Sequence, residues 1–182
     1  MLDKEELDLM AKGLKIALNN AKGVRFVIIE GMYAEGLVAQ KLVELGRTVE
    51  FHGQPFDLTV DKKHKVEVKC GKLWGFGASA SFGDGKQIEK KKFDYCVFVI
   101  IDKETLDPLK FFVFSRSELE ECKIHRPKMT MKETPSILFY YKNFQEFEKE
   151  SKETGEPIFE VERYLHFHPE QFQDRWDKIG DH

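Results

Sequence analysis

Cysteine is scarce: there are three, Cys70, Cys96 and Cys122, and they lie far apart. An odd, scattered set excludes a disulfide framework, and no Cys-x-x-Cys pair or Cys/His cluster has zinc-ligand spacing. Reduced, intracellular thiols are the simplest account. Long hydrophobic runs are also missing. The acidic stretch Met1 to Met10 lacks the apolar region of a signal peptide. No segment approaches the roughly 20 apolar residues of a bilayer span. The sequence therefore reads as a soluble, cytoplasmic protein with no membrane partner. Neither sign of charge dominates: 29 basic against 32 acidic residues give a formal net charge of -3. That balance gives no bulk attraction for a polyanion, yet a local basic groove remains open, because only charge facing the phosphates matters.

What is present suits one domain. The length of 182 residues and the 41% hydrophobic content are enough for a real core. Leu7, Met10, Leu14, Ala17 and Leu18 recur at helical spacing and predict a helix over 3–20. The apolar run 24–29 fits either a helical extension or a strand. A clear helical pattern covers 31–46, with Gly46 as its stop. Strands are expected at 48–52, 56–60 and 65–70, then a glycine-rich stretch and a short polar helix over 86–92. Tyr95 to Ile101 is almost purely apolar and suits a central strand covered on both faces. Further strands are expected at 109–114 and 137–141, with helices at 115–122, 144–152 and from Pro169 onward. The whole predicts an α/β domain with a core over about 31–101 and a C-terminal extension over about 102–182.

The most informative pattern lies in the second and third predicted strands. Leu58 and Val60 alternate with Asp57 and Thr59, and Val66 and Val68 alternate with Lys65, Glu67 and Lys69. In a hairpin the four apolar residues must share a face, because a slip of one residue turns a whole set over. Pairing Leu58 with Val66 does this and leaves an odd-length loop around 61–63. It also sets Asp57 opposite Glu67, with Lys69 two residues along on the same face. Carboxylates roughly 5 Å apart across strands repel unless a cation or proton lies between them. Such hard oxygen ligands suit Mg²⁺, and a lysine beside the ion can orient or help deprotonate an attacking water. The string itself is common. An acidic residue two before a lysine also occurs at Asp61, Glu89, Glu121 and Glu150, and charged pairs are ordinary on a solvated sheet face.

Helical spacing gathers Met32, Ala34, Val38, Ala39, Leu42, Val43 and Leu45 on one side of the 31–46 helix, with Tyr33, Gln40 and Glu44 opposite. Glu35 falls inside the apolar arc, where a carboxylate is costly unless paired or coordinated. It marks either a structural ion pair or a site. Glu30 is a less well placed competitor.

These residues resemble the PD-(D/E)XK nuclease superfamily, whose fold is restriction-endonuclease-like. The matching pieces are Glu35 on the first core helix, Pro55-Phe56-Asp57 on the second core strand, and Glu67-Val68-Lys69 on the third. The resemblance covers about residues 31–101, in the order helix, three strands, helix, strand, and implies a mixed sheet flanked by helices. One departure is visible, since Phe56 intervenes where the family has contiguous Pro-Asp. The resemblance implies Mg²⁺ (with Mn²⁺ as a possible substitute) on Asp57, Glu67 and the Val68 carbonyl. It implies Lys69 positioning the attacking water, Glu35 acting through metal-bound water, and Gln87 as the polar residue of the following helix. The activity it implies is Mg²⁺-dependent DNA cleavage of a restriction or repair type. A Holliday-junction (four-way-junction) resolvase and a catalytically silent DNA-binding relative are the alternatives. Superfamily analogy also implies a possible homodimer.

Residues 70–87 combine glycines, small hydroxyl residues, aromatics and lysines directly after the third strand. As a nucleic-acid contact, Ser79 and Ser81 and backbone amides would meet phosphates, Lys72 and Lys86 would supply charge, and Trp74 or Phe76 would stack. Alternatively Trp74, Phe76 and Phe82 simply pack as an apolar cap. His166 and His168 have no evident third metal ligand and read as a polar strand or turn.

Overall fold

The computed structural model describes residues 2–53, 55–74, 77–79, 92–121, 153 and 169–180. Two antiparallel helices open the chain. In α1 (Lys4–Asn20) the first turn is closed by a capping box, with Asp3 accepting from the Glu6 amide and Glu6 from the Asp3 amide, both at 2.9 Å. In α2 (Val24–Glu44) the ambiguous run 24–29 becomes its first turns. The helix stops where Gly46 takes φ +81. There the amides of Gly46 and Arg47 donate to the carbonyls of Val43 and Leu42, a Schellman closure.

Strands β1 (Val49–Phe51), β2 (Leu58–Val60) and β3 (His64–Trp74) follow, with β4 (Gly77–Ser79), β5 (Tyr95–Ile101) and β6 (Pro108–Ser115). The sheet order is β1-β2-β3-β5-β6, with short β4 pairing to the far end of β3. Only β3 and β5 run parallel; the other described neighbours are antiparallel. This is a mixed sheet with helices, an α/β protein. Leu58 pairs with Val66 and Val60 with His64, so the predicted register and the three-residue connection 61–63 are both found. Asp61 and Lys62 carry that turn at positive φ.

β3 runs past Cys70 to Trp74 and turns back into β4, so the glycine-rich stretch expected as loop begins as a hairpin. After β6 comes α3 (Arg116–Glu121), opened by Ser115 and Glu118, which hydrogen-bond each other's amides. The helix expected from Pro169 is a single 3-10 turn, Pro169–Phe172, followed by another at Trp176–Lys178. Chain pairing explains the first: Gln173 bridges to Phe112 on β6, and the Asp174 amide donates to the Phe111 carbonyl, drawing the segment along the sheet edge. The expected elements at 86–92, 137–141 and 144–152 lie outside the described residues, apart from Lys92.

The main core lies between α1, α2 and one sheet face. Leu7, Leu18, Ala34, Val38, Leu42, Leu58, Val66, Val97 and Val113 are buried there. Tyr33, expected on the polar side of its helix, is buried instead, and its hydroxyl donates to the Leu106 carbonyl at 3.0 Å. Because α1 packs against α2, the second half of α2 is enclosed on more sides than one amphipathic face would require. Met32 and Leu45, expected among the apolar set, are exposed. A long-range tie closes the structure: Arg47 forms an ion pair with Asp61 at 2.9 Å and donates to the Ile179 carbonyl. No described helix is long and apolar enough to cross a membrane.

Candidate active site

Strand alternation gives the sheet two unlike faces. Leu58, Val60, Val66 and Val68 turn toward α2, so Asp57, Glu67 and Lys69 turn to the other side. Register then aligns residues across strands. Asp57 follows from Leu58↔Val66 as the neighbour of Glu67, Glu67 is abreast of Cys96, and Cys96 is abreast of Phe114. On the outer side, the His52 amide donates to the Asp57 carbonyl at 2.7 Å, which continues the rank onto the end of β1.

Asp57 sits just before β2 begins and is fixed twice. Its amide donates to the Val66 carbonyl at 3.1 Å, and its Oδ2 accepts from the Val68 amide at 2.7 Å. Here the aspartate side chain replaces a strand partner for β3. The N–H and C=O of one strand residue point to the same edge, so the Val68 carbonyl faces this edge too. Among the described residues, no strand runs along β3 there from Glu67 to Gly71, between the end of β2 and the start of the β4 pairing. The two carboxylates and the Val68 carbonyl thus border one stretch of the β3 edge that no described strand pairs.

Glu67 is fully buried, and its Oε1 accepts from the Lys69 ammonium in an ion pair whose lysine side chain is 19% exposed. Burial by itself would push the lysine down. The Glu67 charge and hydrogen bond, with Cys96 and Asp57 contributing, outweigh it and hold Lys69 above its ordinary value. Phe98 and Phe114, packed edge-to-face at 5.5 Å on the neighbouring strands, make this side of the sheet apolar and strengthen electrostatics within it.

Two carboxylates and a backbone carbonyl are the hard oxygen set that suits Mg²⁺. A carboxylate offers about four lone-pair sites, so the bonds to Val68 and Lys69 do not exhaust either group's capacity. Among the described residues no three His, Cys, Asp or Glu side chains cluster closely enough to hold a metal, so Glu35 does not join Asp57 and Glu67 as a third acidic ligand. Glu35 is half-buried on α2, the helix on the opposite sheet face. Lys72 pairs with Ser79 across the β3–β4 hairpin, and Trp74 with Gly77, just beyond that stretch of β3. Ser81, Lys86 and Gln87 lie outside the described residues.

The sequence reading missed a neighbouring group. His52 Nε2 lies 2.8 Å from the Thr59 hydroxyl, the His52 and Phe56 rings are 5.0 Å apart, and the Lys65 ammonium is 5.6 Å from the Phe56 centroid. Carrying the hairpin register one strand further, to β1, was the available signal for His52. Phe56 was legible only as an interruption before Asp57. No protein-family model matches the chain, and no curated protein shows significant similarity to it.

Proposed function

We propose that this chain is a Mg²⁺-dependent endodeoxyribonuclease of the PD-(D/E)XK, restriction-endonuclease-like kind. The observation that carries the reading is the meeting of Asp57, Glu67 and Lys69 on one sheet face, beside a stretch of β3 that no described strand pairs. The strand pattern supports it as well. Antiparallel β1, β2 and β3, with parallel β5 beside β3, make the mixed sheet that the resemblance implies.

In this reading Asp57, Glu67 and the Val68 carbonyl hold the cation. When bound, Mg²⁺ supplies Lewis acidity, polarising the phosphodiester and lowering the pKa of a coordinated water. The Val68 amide keeps the Asp57 carboxylate from turning away. Lys69 holds the attacking water in line with the phosphorus and offsets negative charge as it builds. Glu35 acts from α2 through a water, and Gln87 is proposed as the additional polar residue of the site. Lys72, Trp74, Ser79, Ser81 and Lys86 are the proposed DNA contacts. The displaced 3′-oxygen takes a proton and the product carries a 5′-phosphate.

The test is cleavage of supercoiled plasmid and of a synthetic four-way junction in Mg²⁺, in Mn²⁺ and in EDTA, by wild type and by Asp57→Asn. Metal-dependent cutting by wild type that vanishes in the variant supports the reading. Cutting confined to the junction moves the assignment to a resolvase. DNA binding without cutting in either metal overturns it in favour of a silent DNA-binding protein.

A further inference from the structure

We propose that the β1–β2 margin is a nucleotide subsite, in which one unpaired base stacks on Phe56, braced by His52, and Lys65 meets its phosphate. The inference rests on the endonuclease reading, whose reacting phosphate would lie at Asp57, the residue next to Phe56 in the chain.

Three observations converge there. First, placement: His52 is exposed at the end of the outermost strand, in the same cross-sheet rank as Asp57 and Glu67. A strand of DNA leaving the metal ligands across that edge must pass over it. Second, orientation: Thr59 holds the imidazole through Nε2 at 2.8 Å, and Phe56, half-buried, stands 5.0 Å away at an interplanar angle of 59°. The pair is therefore fixed before any ligand arrives, which lowers the ordering cost of binding. Third, charge: Lys65 pairs with Thr59 across the hairpin and places its ammonium 5.6 Å from the Phe56 centroid. The ammonium lies over the partly buried ring, so a base that stacks there displaces it toward the base's own phosphate, joining stacking and a phosphate contact as proteins do when they bind single strands.

The same features set the specificity. A base inside a duplex is already stacked on both faces, so the Phe56 ring serves an unpaired one. Exposed Glu50, opposite Thr59 on β1, disfavours a second phosphate on this side. The subsite therefore takes one nucleotide, with Lys65 as its cationic contact.

The experiment uses EDTA, so that no cleavage intervenes. Short single-stranded DNAs carrying 2-aminopurine at each position in turn are titrated with wild type, Phe56→Ala, Phe56→Tyr, His52→Ala and Lys65→Ala, alongside a fully paired duplex. Wild type is expected to quench the probe at one position of the single strand and to leave the duplex unquenched. Phe56→Ala should lose the quench and bind about ten-fold more weakly, with Phe56→Tyr restoring both. Lys65→Ala should reduce the slope of log affinity against log salt by about 0.7. Phe56→Ala that quenches and binds as wild type does, or equal quenching in the duplex, overturns the subsite. Plasmid cleavage in Mg²⁺ separates the two readings. Wild type that quenches but never cuts defeats the nuclease and leaves the subsite standing, whereas wild type that cuts beside an unaffected Phe56→Ala defeats the subsite alone.

Discussion

The two faces of this sheet use the same strands for opposite purposes. On the side toward α2, Leu58, Val60, Val66 and Val97 are fully buried among other apolar side chains. One residue along each of β2 and β3, the chain turns Asp57, Glu67 and Lys69 the other way, and Glu67 is buried just as completely. Burial on the first face follows from transfer of apolar area out of water. Burial of a carboxylate on the second works against folding unless a counter-charge compensates it. The helix-side core, together with Phe98, Phe112 and Phe114 on the second face, carries the stability that lets a costly carboxylate be held in place.

That contrast can be broken most sharply at Asp57. Asp57→Asn keeps an oxygen for the Val68 amide while removing the charge. Metal-dependent cleavage should fall by more than about 100-fold, beyond the loss typical of a residue that only supports a ligand, with an unchanged thermal midpoint. Lys69→Met should instead cost stability, about 3–5 kcal/mol in urea titration, because it removes a counter-charge of the buried Glu67. Adding Glu67→Gln should recover much of that loss; if the double variant is less stable than Lys69→Met alone, the charge is not what the lysine compensates. On the opposite face, Leu42→Ala should cost about 2–5 kcal/mol while cleavage per folded molecule stays as in wild type. A parallel loss of specific activity would show that the two faces are not separable.

The smallest effect concerns pH. Burial, then the Lys63 charge, hold the His64 imidazole below its ordinary value. Below the unfolded value of about 6.5, the unfolded chain therefore takes up protons that the native chain refuses. This contribution is complete above that pH and is lost as pH falls toward the native value. His64→Phe, which keeps a ring against Tyr95, should show a smaller drop in urea midpoint between about pH 7.5 and 5.5. An equal drop in both proteins would remove His64 as a cause.

Much of this arrangement was legible in the sequence where the physics is local. Period-two alternation in two short runs fixed Leu58 against Val66, and from that alone Asp57 faces Glu67. The less legible parts depend on distant partners. Glycine-rich composition after Cys70 concealed the continuation of β3, since pairing with β5 and β4 keeps those residues extended. Tyr33 looked polar-facing until Leu106, 73 residues on, supplied an acceptor. The turn at Pro169 reads as the start of a helix, whereas Gln173 and Asp174 bond to β6 and end it after four residues. Of the proposed site, the two carboxylates and the lysine followed from alternation. The bond from Val68 to Asp57 and the His52–Phe56 pair required three-dimensional neighbours.

Arg47 has a consequence for the order of events in folding. It joins the turn after β2, through Asp61, to the Ile179 carbonyl 132 residues away. A contact with so long a separation has more loop-closure entropy to overcome than the three-residue hairpin turn, and is expected to form after it. The hairpin that carries Asp57 and Glu67 can assemble from local contacts beforehand, while Trp176, buried against Phe111, docks with the closing segment. Docking of the closing segment is thus expected to follow the hairpin, and with Trp74→Phe removing the other indole, the fluorescence of Trp176 would time it against the strands.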